Sequence, residues 1–330
     1  MRDDDRMLNL TDAQFGSGIV GVCDICGERQ AVVVLTKERF KLCVLDFLNK
    51  TWLKTDKKPG VPPPLYRSER ATFETGVARA DKAQAIVLSP TKKVKHPVVL
   101  ITPDTFGITT TLLDAAIRFA REGFEVIIPD FAKTEGIGAS SMLLARGGAR
   151  FRGGVDTRSK DVLQLVRLCQ DALDYVGGRE MVDPGKSAVF GTSFGGSVAL
   201  ALAAQSTRLS AVALAYPLPV RPAGLPALVT APLVCVAGTA DRVASRSVAQ
   251  LRAGVGPTAP TVVEIAGARH HFLARDLSVY DEAKAEEAWG RLIGFVRSRM
   301  MPAPPSPPPP PTKPADPLAA PKASPSTAAA

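Results

Sequence analysis

Histidine is scarce: three occur among 330 residues, so any reaction that needs an imidazole base must use His96, His270 or His271. Long apolar runs are missing as well. No stretch is long enough to span a bilayer, and the amino terminus, Met1-Arg2-Asp3-Asp4-Asp5-Arg6, lacks the apolar core of a secretory signal. A membrane partner is therefore not expected, and a cytoplasmic location is. Basic residues outnumber acidic ones by 41 to 32, a formal net charge of +9, yet no dense Lys/Arg block or basic-aromatic stripe collects that charge. Nucleic acid is not an expected partner either. The five cysteines are odd in number, and Cys169 and Cys235 stand alone in apolar runs, which fits reduced thiols better than a disulfide framework. Internal repeats are absent. A chain that is 45% hydrophobic and 22% charged has material for one large core with appendages.

One stretch organises that core. Ala188-Val189-Phe190 is apolar and strand-like, breaks at Gly191-Thr192-Ser193-Phe194-Gly195-Gly196, and continues into an alanine-rich run at 197–205. It reads as strand, sharp turn, helix. The glycines at 191 and 195 spare a strained turn the side chains that would collide with neighbouring backbone, as the G-x-S-x-G nucleophile elbow requires. Ser193 is the candidate nucleophile; the plainer alternative is a glycine-rich connection with an incidental serine.

The surrounding pattern supports a sheet around it. Strand-like runs fall at 71–75, 83–88, 97–101, 125–128, 187–190, 211–215, 233–237 and 262–265, with amphipathic helices at 111–121, 162–176 and about 283–299. Continuous apolar strands separated by amphipathic helices predict an α/β fold whose mostly parallel sheet is covered on both faces. Ser193 then lies at the carboxyl end of a central strand, where open α/β sheets bind ligands.

A serine hydroxyl is a weak nucleophile at neutral pH and needs a base, an acid to orient it, and donors for the oxyanion. His270 and His271 follow the last strand, whereas His96 precedes a core strand upstream of the elbow. Gly238-Thr239-Ala240-Asp241 directly follows the run at 233–237, so Asp241 can orient an imidazole. The order Ser, Asp, His is that of α/β-hydrolases. Taken singly, Asp241 suits a helix N-cap and the histidine pair suits a surface.

Cys23-Asp24-Ile25-Cys26 is followed, after sixteen residues, by Cys43-Val44-Leu45-Asp46. Two such knuckles let thiolates converge on one ion, and the runs at 30–35 and 39–42 between them suit a hairpin. The segment resembles a zinc ribbon or treble clef, with Asp46 where such modules carry a fourth cysteine or histidine. Cys23, Cys26, Cys43 and Asp46 are the candidate ligands of a structural Zn²⁺, a closed set with no open position for water.

From about 68 to 300 the chain resembles the dienelactone hydrolase family of the α/β-hydrolases. The resemblance is carried by Pro103-Asp104-Thr105-Phe106-Gly107-Ile108, by 119–131, by 191–196, by 238–241, by Gly267-Ala268-Arg269-His270-His271-Phe272, by Tyr280 and by Ala288-Trp289. It implies His270 as the catalytic histidine, with His271 as spacer. Arg275, four residues beyond His271, sits at the spacing of the family's substrate-binding arginine and keeps His271 as the alternate. It also implies oxyanion donors at the backbone N–H groups of Phe194 and Thr105. Two departures matter: the namesake enzymes carry a cysteine nucleophile, here Ser193, and usually a glutamate before the F-G pair, here Asp104. Asp104 either orients groups near the nucleophile or forms a turn.

The segment at 133–157 is rich in glycine and carries Arg146, Arg150 and Arg152, which suits a substrate wall for an anion or a solvated loop. Lysine and proline at 54–64 mark a linker, and proline and alanine after 302 mark a disordered tail. The expected organisation is a zinc-ribbon-like module at 1–53, a linker at 54–66, an α/β-hydrolase domain at 67–301 and a tail at 302–330. The expected function is hydrolysis of a small carboxylic ester or lactone by Ser193, Asp241 and His270, with no cofactor for catalysis. The alternative is an inactive scaffold that binds protein partners through the module and the tail. Hydrolysis of esters and lactones of graded size and charge separates the two.

Overall fold

A computed structural model describes residues 65–301 apart from 78–79, 106, 132–133, 135–153 and 255–256, together with the backbone of five short strands between 13 and 42. Cys23, Cys26, Cys43 and Asp46, most of the linker, the arginines at 146, 150 and 152, and the tail lie outside the described residues. Of the amino-terminal expectations, the hairpin is the one the backbone records: Val33–Leu35 runs antiparallel to Phe40–Leu42 and to Ala13–Phe15, and Gly21–Val22 pairs with Gln30–Ala31. Among the described residues no helix is long and apolar enough to cross a membrane.

The eight strands of the large sheet are β1 (Tyr66–Glu74), β2 (Lys82–Pro90), β3 (His96–Thr102), β4 (Glu125–Pro129), β5 (Val182–Thr192), β6 (Leu209–Ala215), β7 (Leu233–Gly238) and β8 (Thr261–Ile265). They lie in the order β1-β2-β4-β3-β5-β6-β7-β8. Neighbours from β4 to β8 are parallel, and β2 runs antiparallel to both β1 and β4. Every residue of β3 and β4 is buried, the fate of continuous apolar strands inside a parallel sheet. β1 begins at Tyr66, so the sheet takes the last residue assigned to the linker.

Among the described residues five helices cover the sheet: α1 (Thr110–Arg121), α2 (Lys160–Gly177), α3 (Ser193–Gln205), α4 (Ala244–Ala253) and α5 (Glu282–Met300). Sequence periodicity misses α4, whose buried stripe is only Ala244, Ser247, Val248 and Leu251. Phe119 of α1 and Trp289 of α5 both pack against Phe190 of β5, with ring centroids 5.7 and 5.5 Å away. That contact anchors the strand that carries Ser193. His96 serves the fold, with its ring nitrogens each 2.8 Å from the carbonyls of Gly123 and Lys92.

The strand order matters for function. β4 and β5 flank β3 on opposite sides, so the chain reverses its winding there and opens a crevice at the carboxyl ends of β3 and β5. The loop carrying Asp104 and Thr105 and the turn carrying Ser193 meet at that crevice.

Elsewhere, a buried carboxylate ties α2 to the edge of the sheet. Asp171 accepts hydrogen bonds from Thr75 Oγ1 at 2.7 Å, Gly76 N at 2.8 Å and Arg167 Nε at 2.8 Å. Asp171→Ala would leave the half-buried Thr75 hydroxyl and the Gly76 amide without their acceptor. The expected loss of unfolding free energy is about 1–2 kcal/mol, read by urea denaturation. A change below about 0.5 kcal/mol would show that solvent replaces the carboxylate.

Candidate active site

Ser193 is the first residue of α3 and adopts φ 47°, a left-handed conformation that L-residues avoid. Close packing holds it there. A Cβ on Gly191 would come within 2.6 Å of the Gly195 carbonyl, and one on Gly195 within 2.7 Å of the carbonyl oxygens of Thr102 and Pro103. Thr102, at the end of β3, donates from Oγ1 to the Gly195 carbonyl at 2.7 Å. From the other side, the Leu218 amide donates to the Ser193 carbonyl at 3.1 Å, and Ser197 Oγ donates to the Leu218 carbonyl at 2.8 Å. The turn is braced from the loops after β3 and β6 alike.

His270 reaches the turn from the loop after β8. Its Nε2 lies 3.1 Å from Ser193 Oγ, and its Nδ1 lies 2.6 Å from Asp241 Oδ2. Asp241, in the loop after β7, uses its other oxygen to accept the Val243 and Ala244 amides, each at 2.9 Å. The two sequence readings of Asp241 are thus reconciled, one oxygen receiving the start of α4 and the other facing the imidazole. Burial opposes its charge, but the hydrogen bond and charge of His270 and the two amides outweigh that and hold its carboxyl below the ordinary value. The acid and base loops are also joined directly: the Ala240 amide donates to the Ala268 carbonyl at 3.0 Å, and that carbonyl leaves no space for a Cβ on Gly238.

His271 sits beside this chain of bonds. It adopts φ 63° and turns its ring edge-on to that of His270, centroids 4.3 Å apart. Burial, and then the charge of His270, push its pKa down to about 4, so it is neutral where His270 would work. Of the two histidines left open by the sequence, His270 is the one that bridges serine and acid.

Asp104 is buried at the mouth of the crevice. Its Oδ1 accepts the Thr105 amide at 2.7 Å and lies 3.3 Å from Thr105 Oγ1, and the Phe194 amide lies close enough to the carboxyl to favour its charge. The Gly107 amide donates to the Asp104 carbonyl at 2.9 Å, closing a turn for which Gly107 supplies φ 78°. The turn reading of Asp104 is the one the backbone records, and its carboxyl is turned to the Thr105 amide. Burial pushes its carboxyl up to about 6 despite those amides and the nearby His270. Arg275 is engaged elsewhere. Its guanidinium lies 3.5 Å from Glu286 Oε1 and 4.0 Å from Asp114 Oδ2, and it covers the Tyr280 ring at 5.5 Å.

Sequence reading missed Tyr216, which follows β6 at φ 38°, fully buried. Its ring meets His270, His271 and Phe272 at centroid distances of 5.1, 5.5 and 5.6 Å, forming the wall against which the base loop rests. Its one visible signal was position, immediately after an apolar strand. Cys169 and Cys235 are buried free thiols, and burial pushes Cys235 up to about 12.

A chain of hydroxyl, imidazole and carboxylate can pass a proton from serine to histidine while the carboxylate balances the imidazolium. The fold around it is shared with known proteins. Residues 83–300 match the sequence model of the dienelactone hydrolase family. A dienelactone hydrolase from Anabaena variabilis aligns over 72% of this chain and 100% of its own, at 19% identity and a TM-score of 0.54. A dienelactone hydrolase-like promiscuous phosphotriesterase from metagenomic libraries aligns over 71% and 99%, at 20% identity and a TM-score of 0.55. These structural likenesses speak to the fold alone. The quorum-quenching protein AidA of Acinetobacter baumannii is 27% identical over 135 residues, 40% of this chain and 38% of its own length.

The surroundings of His271 yield a direct check. Its folded pKa of about 4 lies below its ordinary 6.5, so its burial adds stability that is full above about pH 6.5 and is lost as pH falls through 4. Imidazole NMR should find one ring neutral down to about pH 4. A midpoint near 6.5 for every histidine would place His271 in solvent instead.

Proposed function

The chain belongs to the dienelactone hydrolase family, and from that premise we propose that it is a serine hydrolase that cleaves a carboxylic ester or lactone through an acyl-enzyme. The observation that carries the reading is the unbroken chain from Ser193 Oγ to His270, 3.1 Å, and from His270 to Asp241, 2.6 Å. In the first half-reaction Ser193 Oγ adds to the substrate carbonyl as its proton passes to His270 Nε2. The tetrahedral intermediate collapses, the C–O bond to the leaving alkoxide breaks, and His270 returns the proton to that oxygen. Water then gives a proton to His270 and attacks the acyl carbon, and the same steps in reverse free Ser193 and the carboxylic acid.

The amides of Thr105 and Phe194 are the proposed oxyanion donors. Their support is that the Thr105 amide bonds to the Asp104 carboxyl and the Phe194 amide lies close to the same carboxyl, and amides that converge near a carboxylate can converge on an oxyanion. Phe194 also lies in the first turn of α3, where the helix dipole favours negative charge. Arg275 is not assigned to substrate, because Glu286 and Asp114 already oppose its charge.

A fluorophosphonate probe should label the folded protein, and Ser193→Ala should abolish the labelling. Ser193→Ala and His270→Ala should each lower kcat/KM on a short p-nitrophenyl ester by at least about 10³-fold. Labelling that persists in Ser193→Ala would sink this assignment. No labelling of the folded wild type would return the chain to the inactive-scaffold reading.

For the amino-terminal segment we propose a structural Zn²⁺ held by Cys23, Cys26, Cys43 and Asp46. Three thiolates and a carboxylate form a donor set that zinc accepts, and in sequence each knuckle directly follows a short strand, Gly21–Val22 and Phe40–Leu42. Elemental analysis should find about one zinc per chain and a loss in Cys23→Ser. Metal-free folded wild type would refute the site.

A further inference from the structure

Asp104 is a charge that the acyl-transfer steps do not use. Its carboxyl is buried, accepts the Thr105 amide at 2.7 Å, and has the Phe194 amide, next to the nucleophile, close by. Those are the two donors that the Proposed function assigns to the substrate oxyanion. A carbonyl oxygen can reach them only when the carboxylate yields them, and the carboxylate, tethered through one methylene, stays close to Ser193 when it does. The ionisable side chain that acts on it most is the His270 imidazole. An arginine that could compensate for it, Arg275, is turned to Asp114 and Glu286.

We propose, resting on the ester or lactone hydrolase reading, that Asp104 selects the substrate by charge: its carboxylate fills the oxyanion hole in the free enzyme and, once displaced, repels acyl groups that carry a carboxylate. The substrate class is thereby narrowed to esters and lactones whose acyl part has no negative charge. Two unit charges a few ångströms apart in a partly buried site interact strongly enough to change kcat/KM by about ten- to a hundredfold. Serine tolerates this arrangement because its hydroxyl becomes negative only transiently, with the proton already on His270.

The test is a matched pair of p-nitrophenyl esters, one acyl chain ending in a carboxylate and the other in its methyl ester, with kcat/KM measured on wild type, Asp104→Asn and Asp104→Ala. Wild type should prefer the uncharged ester by at least about tenfold. Both variants should bring the pair within about threefold of each other, mainly through gain on the anionic ester. A merely structural role for Asp104 would lower both rates together and leave their ratio unchanged. An unchanged ratio in both variants overturns the proposal. So does a wild-type preference for the carboxylate ester. Ser193→Ala keeps the two readings apart: a flat charge ratio in a Ser193-dependent enzyme defeats the Asp104 proposal alone, and hydrolysis independent of Ser193 defeats the hydrolase assignment itself.

Discussion

Contact between backbones at the end of β5 is the constraint on which the site depends. Gly191 and Gly195 pack so tightly against each other and against Thr102 and Pro103 that neither has room for a Cβ. That packing forces Ser193 to φ 47°, which lifts its hydroxyl out of the sheet toward His270. The energy that holds the strained residue comes from packing against the strand and from hydrogen bonds to the turn itself. Trp289 and Phe119 fix Phe190 from above the sheet, and hydrogen bonds from Thr102 and Leu218 fix the turn from both sides. Strain of about 1–3 kcal/mol at one residue persists only when its neighbours over-determine it in this way.

Two carboxylates then share one small site in different electrostatic states. Asp241 has a partner for each oxygen, the amides at the start of α4 on one side and His270 on the other, and its charge is stabilised. Asp104 also has amides beside it, but full burial outweighs them and raises its carboxyl to about 6. Environments that push two acids apart divide their roles. Asp241 is held as a charge beside the imidazole, whereas burial disfavours the charge of Asp104.

Much of this was legible in the sequence because it depends on pattern and order. The buried strands read as apolar runs, the elbow as G-x-S-x-G, and the acid and base as polar residues directly after the last two strands. What escaped depends on where distant loops meet. Tyr216 carries no local motif, and its role as the wall behind His270 arises only because the loop after β6 passes beside the loop after β8. The same holds for His270 against His271. Adjacent in sequence, they diverge because His271 takes φ 63° and swings its ring aside. Helix α4 escaped for a simpler reason, since a stripe of four buried residues, two of them alanine and serine, leaves little periodic signal.

Arg275 shows most sharply where spacing stops being informative. Its distance from the histidines matches that of an arginine that binds an anionic substrate, yet a guanidinium acts through its net field, and Asp114 and Glu286 oppose that field. Glu286 is shared with Arg118, which also holds Asp114 at 2.9 Å, so the four side chains form a network linking α1 and α5 beneath the base loop. A charge spent on joining two helices is largely withdrawn from recognition. Spacing can therefore bring an arginine near a site without fixing whether its charge is available there.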